Sequence, residues 1–307
     1  MRFRQRSLSS LCTVLHMRRR TRLAAVAAAA CLLSAAPASA ADWADVDPFA
    51  ICPTAAPNCL DVTLTEMRER LAGHDRTCNH NGLFLRNYIN VTEAYAKSLR
   101  EEPELFEDPD WLAREDAIFA AQYFQAEDRW KAGRLSEVPK AWRIAFGAAD
   151  RGRVQGIGNL LLGINAHVQQ DMAFMVEAAG IRAPDGSSRR RDHDIFMKVL
   201  ARQYDRILAD AIAYDDPEMR IFQFPNNFDK QVAVTLVDAW RDLVWANAVA
   251  LTEARTPTAR ARIVRRIELN AVAWANTFVE TFKYRTGITS PARRNALCAA
   301  RSAAAPA

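Results

Sequence analysis

From about residue 62 onward, apolar side chains recur at three- and four-residue spacing in one segment after another. No stretch alternates apolar with polar residues long enough to make a strand. A face built on that spacing must be buried against another element, and no sheet is on offer, so the chain is confined to helix-on-helix packing. The 11 glycines among 307 residues fit this reading. They are roughly half the usual ~7% share, too few for the many tight turns of an all-β chain. The expectation is an all-α fold, a single multi-helix bundle of about seven or eight helices.

Local signals divide that bundle. Thr63-x-x-Glu66 reads as a capping box opening a short helix to about Ala72. Residues 74–82, with two His, Cys78 and Gly82, read as a loop. The spacing of Leu83, Phe84, Tyr88, Val91, Tyr95 and Leu99 predicts a helix over roughly 81–100. Asp108-Pro109 starts another that runs to about 131, and Pro139 opens one holding Trp142 and Phe146. A long helix is predicted from about Arg153 to Ala179, stopped by Gly180, and a turn over residues 184–188 follows it. Asp192 then caps a helix to about Tyr214, Pro225-Asn226-Asn227 precedes one through Leu251, and a last helix covers about 258–285. Residues 41–61 read as an irregular N-terminal segment, 62–300 as the helical domain and 301–307 as a loose tail of small residues.

The formal net charge of +5 belongs to residues 1–40. They carry seven arginines and no Asp, Glu or Lys, and the rest of the chain has 34 basic against 36 acidic side chains, a formal charge of −2. A phosphate backbone needs a cationic face, so nucleic acid is not an expected partner; a small molecule or a lipid is. The leader reads as a signal peptide. Arg18-Arg19-Arg20-Thr21-Arg22 is its charged region, Leu23 to Leu33 its apolar stretch, and Ala38-Ser39-Ala40 a cleavage signal that puts the mature start at Ala41. Met1 and Met17 both stay open as initiator, and Sec and twin-arginine export both stay open as route. No later stretch has 18 consecutive apolar residues, so no transmembrane segment is expected after the leader. The expected location is outside the cytoplasm, secreted or periplasmic, where Cys52, Cys59, Cys78 and Cys298 meet an oxidising environment. Of their three pairings, Cys52–Cys59 as a local clip and Cys78–Cys298 as a tie between the C-terminus and the first helices are favoured.

One segment carries chemistry. In the 153–179 helix, Leu160, Leu161, Leu162, Ile164, Val168, Met172, Phe174 and Met175 cover most of the circumference, the mark of a helix buried on most sides. Asn159, Gly163, His167 and Asp171 fall at every fourth position and form one slowly drifting stripe. His167 and Asp171 sit one turn apart on that stripe, and Gly163 leaves space one turn before the imidazole. Three readings stay open: two ligands of one metal, an acid–base pair in which the carboxylate holds the imidazole tautomer, or a satisfied polar cluster without chemistry. His193, at the start of the next helix, is the candidate third ligand or general base, brought back by the turn at 184–188. A competing reading leaves His193 solvated beside an N-capping Asp192. His74 and His80 read as surface residues, and Arg86 with Asp116 as a buried pair. Gly156-x-Gly158 follows no strand, no GxSxG elbow occurs, and the sequon Asn90-Val91-Thr92 falls within a helix.

Four segments carry a resemblance: Phe84 to Thr92, Phe119 to Ala126, Val138 to Trp142, and Leu161 to Asp171 with its Gly-x-Asn-Ala-His-x-x-x-Asp string. Over roughly 62–215 they resemble a family of exported, all-helical proteins of unknown function. The resemblance implies a helical fold with a shared His167/Asp171 element and supplies no reaction. The His-x-x-x-Asp string alone is also similar to the zinc-ligand helix of zinc-dependent phospholipase C and single-strand nuclease enzymes. Those phosphodiesterases hold three zinc ions. The mature chain here has four His, and its start, Ala41-Asp42-Trp43, lacks the N-terminal Trp that they use as a ligand. The similarity therefore implies at most one zinc, held by His167, Asp171 and His193, for metal-assisted hydrolysis of an ester or phosphodiester. The alternative is a non-catalytic exported binding or structural protein in which His167 and Asp171 hold helices in register.

Overall fold

The computed structural model describes residues 59–304. Ten α-helices follow one another: α1 Cys59–Thr77, α2 Gly82–Glu101, α3 Pro109–Lys131, α4 Lys140–Asp150, α5 Gly156–Asn165, α6 Met172–Ala179, α7 Arg190–Asp210, α8 Phe228–Thr252, α9 Pro257–Phe282 and α10 Ala292–Ala304. A π-helical turn, Ala166–Asp171, joins α5 to α6 without a break, and a second, Ala211–Asp215, extends α7. The described residues contain two isolated β-bridges and no strand. The fold is all-α, and among the described residues no helix is long and apolar enough to cross a membrane.

Where a boundary has a local cause, it lies where the sequence puts it. The Asp108 carboxylate accepts the Trp111 amide at 3.0 Å and Pro109 takes the first turn of α3. Thr256 and Pro257 open α9 in the same way. Gly180, at φ 92°, ends α6 in a conformation that glycine alone adopts without strain. The rod α5–π–α6 is the axis of the molecule and packs against α2, α3, α4, α8 and α9. Leu162, Ala166, Ala173 and Val176 along it are fully buried, as a helix apolar all round requires.

Several expectations give way. Thr63 does not cap a helix: the chain is already helical at Cys59, and Thr63 lies buried inside α1. The Cys52–Cys59 clip falls partly outside the described residues, as do the signal peptide and most of the 41–61 segment. Cys78 and Cys298 are disulfide-bonded, their Cα atoms 5.7 Å apart. That bond anchors α10, which the sequence does not announce, and the supposed tail from Arg301 is helical through Ala304. Arg86 does not pair with Asp116. It bridges Asp75 at 2.6 Å and Asp215 at 3.1 Å, across the joints between α1, α2 and the end of α7. Gly156 donates its amide to Asp216 at 2.8 Å and Gly158 lies against Phe282, so the glycine pair serves close packing.

Candidate functional site

The central rod winds as a π-turn over the residues singled out for chemistry, a local irregularity that often marks a functional position. His167 and Asp171 face each other across it, with Nδ1 3.3 Å from Oδ2. The same carboxylate oxygen accepts the Trp142 indole N–H at 2.7 Å. His167 is 3% exposed and Asp171 is sealed from solvent. Burial pulls the imidazole well below its ordinary pKa and keeps it neutral. A carboxylate only accepts, so the single ring proton belongs on Nδ1 and Nε2 carries the lone pair. Nε2 is buried with no partner among the described residues.

Aromatic rings enclose the imidazole. Phe119 stacks on it with ring centroids 3.3 Å apart, Tyr88 meets it edge-on at 4.6 Å, and Phe84 and Trp142 stand at 5.8 and 6.0 Å. Each comes from one of the segments that carried the resemblance, so those scattered strings are the walls of one site. The gap expected beside Gly163 is filled: a Cβ there would overlap the Phe84 ring. We expect Gly163→Ala to cost about 1–3 kcal/mol through overpacking and to push Phe84 towards His167. Urea unfolding, with near-ultraviolet circular dichroism to follow the rings, measures both.

Beside the imidazole lies a cavity of about 110 Å³. Phe84, Tyr88 and Val91 from α2, Leu160 and Ile164 from α5, Phe196, Leu200 and Ile207 from α7, and Val237 from α8 make its hydrocarbon wall; His167, Asn87 and Arg241 are its polar points. Val91, Ile164, Leu200, Ile207 and Val237 are partly exposed, so the cavity reaches the surface between α2, α7 and α8. A second, smaller cavity of about 30 Å³ shares the Tyr88, Phe119, Met172, Phe196 and Arg241 walls and adds Tyr95, Glu115, Asp116 and Met175. Burial pushes both Glu115 and Asp116 up to about 7.

His193 does not join His167 and Asp171. It is completely buried, with Nδ1 3.5 Å from Glu115, its ring against Trp245, and its carbonyl accepting from Arg241. Burial and the adjacent Arg241 and Arg190 hold it well below its ordinary pKa. The solvated reading fails too, because Asp192 does not cap its own helix. The Asp192 carboxylate turns to α3 and accepts the Glu107 and Asp108 amides, which draws the start of α7 inward. His74 is likewise buried, 2.5 Å from Glu127, which Arg70 and Lys131 also reach. His80, half-buried, contacts Asn295 at 3.0 Å, and burial beside Arg294 lowers it to about 4. No three His, Cys, Asp or Glu side chains are grouped to hold a metal ion among the described residues. With Asp171 Oδ2 already engaged by an indole and an imidazole, these residues do not fit a zinc ion.

Sequence reasoning missed Trp142 as the partner of Asp171, and it missed Glu115 and Arg241. Trp142 had a signal, since it stands in a segment that carried the resemblance. Arg241 had none: one arginine among α8's charged residues looks like any solvated helix position.

A family model described as a family of unknown function, DUF5995, matches residues 60–281. No curated protein and no solved structure matches the chain.

Proposed function

The chain belongs to the DUF5995 family, and we propose that it is a binding protein for a small apolar molecule, held in the cavity between α2, α5, α7 and α8. The observation that carries this is the cavity itself: about 110 Å³ of space, reaching the surface and walled by hydrocarbon. Interiors are packed as tightly as organic crystals, so hydrocarbon walls facing an open space lack the contacts that a packed core would give them. A bound apolar molecule recovers the lost contacts. His167 supports the same reading. Asp171 fixes its tautomer, leaving Nε2 as an acceptor for a hydroxyl on the ligand or for a water carried in with it.

Export completes the reading. It is supported by the charged and apolar leader, by the Cys78–Cys298 bond, and by the absence of a membrane-spanning helix among the described residues.

Thermal unfolding of the purified protein in 1-octanol tests the proposal. A ligand at one hundred times its Kd stabilises by about 2.7 kcal/mol, a rise in Tm of several degrees. Val237→Phe, which places a ring at the cavity mouth, should keep the fold and lose the rise. No rise in the wild type, or an equal rise in the variant, would sink the proposal.

A further inference from the structure

Arg241 is the least expected side chain in this core. It is 3% exposed, and Glu115, the nearest influence on its charge, is held largely protonated by burial and forms no direct hydrogen bond with it among the described residues. One Nη donates to the His193 carbonyl, the other lies 3.2 Å from the Met172 sulfur, and the guanidinium stands over the Phe196 ring at 4.7 Å. Its Nε has no partner. Buried charges are ordinarily paired, because an unpaired one forfeits several kcal/mol of solvation. The cation lines both cavities, and at the smaller one it is joined by the Tyr88 and Tyr95 hydroxyls, each buried and also without a partner among the described residues. The Arg241 Nε–H and two tyrosine hydroxyls on residues lining one small cavity are thus left without an acceptor.

We propose that the apolar ligand is a carboxylic acid, its carboxylate paired with Arg241 and accepting hydrogen bonds from Tyr88 and Tyr95 while its hydrocarbon tail fills the larger cavity. This rests on the binding reading above and names its ligand class. Two carboxyls adjoin the same space. Glu115 is engaged with His193, and Asp116 leaves one oxygen unpartnered. Burial keeps both protonated below about pH 7, so below neutrality the chamber holds one fixed positive charge and Asp116 becomes a further donor. An amine would be repelled by Arg241. A space of about 30 Å³ suits a planar carboxylate better than a phosphate ester, and the partly exposed residues at the mouth leave room for a tail longer than the cavity.

Calorimetric titration at pH 6 with octanoate, 1-octanol and octylamine provides the test. Octanoate should bind at least about tenfold more tightly than octanol, and octylamine least. Arg241→Met should weaken octanoate by at least about thirtyfold, as expected for loss of a buried charge partner, and leave octanol within about twofold. Tyr95→Phe should weaken octanoate by about fivefold. If Arg241→Met does not fold, Arg241→Lys keeps the cation and should keep the preference for octanoate. Octanol binding as tightly as octanoate to the wild type overturns the carboxylate assignment and leaves the binding reading standing. Neither ligand binding overturns both.

Discussion

Asp171→Ala should lower the unfolding free energy by about 3–5 kcal/mol and abolish ligand binding in the cavity. The carboxylate is buried beneath the π-turn and receives Trp142 Nε1–H at 2.7 Å and His167 Nδ1 at 3.3 Å. Removing it strands both donors in the buried core, and stranding a buried polar partner costs more than the bond was worth. The alanine also leaves a void between α4 and the π-turn. Trp142→Phe, which removes one bond and keeps the carboxylate, should cost about 1.5–3 kcal/mol. Urea unfolding at pH 7 measures both variants. A loss under about 1 kcal/mol for Asp171→Ala would mean that the carboxylate does not organise the site.

The helices were legible wherever a local cause sets them. Asp108-Pro109, Thr256-Pro257 and Gly180 act within one turn, and a largely apolar circumference sends the Gly156–Ala179 rod to the centre. The last helix was invisible because large apolar residues do not mark its buried face. Ala292–Ala304 has few large apolar residues, and its buried face is Arg294, which donates to Asn159 at 2.6 Å, together with the disulfide at Cys298. Partnerships were least legible of all. Periodicity gives the face on which a residue lies and says nothing of what meets it, so Arg86 was matched with Asp116 when its carboxylates are Asp75 and Asp215. The His167–Asp171 pair could be found because both members share one turn. Trp142, Glu115 and Arg241 reach the site from other helices, and the π-turn depends on packing with no signature in the sequence. His193 was misplaced because Asp192, read as a local cap, bonds instead to the start of α3.

Asp116→Asn should stabilise the protein at pH 8 by as much as about 4 kcal/mol and change little at pH 4. Burial alone raises the Asp116 carboxyl from 3.8 to about 7, so the folded state holds a proton that the unfolded state gives up three units lower. The stability owed to that proton is fully present below about pH 4 and is lost as pH rises towards 7; each unit is worth 1.36 kcal/mol. Asparagine has no proton to lose. Other groups move the wild-type curve as well. Glu115, raised to about 7, adds a loss of the same sign. His167 and His193, both depressed, oppose it below about 6.5, because the unfolded imidazoles take up protons that the folded ones refuse. The two histidine contributions cancel in the difference between variant and wild type, whereas Glu115, which the Asp116 carboxylate helps to raise, is itself eased in the variant and adds to the stabilisation at high pH. Urea unfolding of both at each unit from pH 4 to pH 8 should therefore give a difference that rises with pH and flattens above 7. A difference that does not change with pH would show that Asp116 is hydrated in solution, and that the smaller cavity is wet rather than a dry seat for a carboxylate.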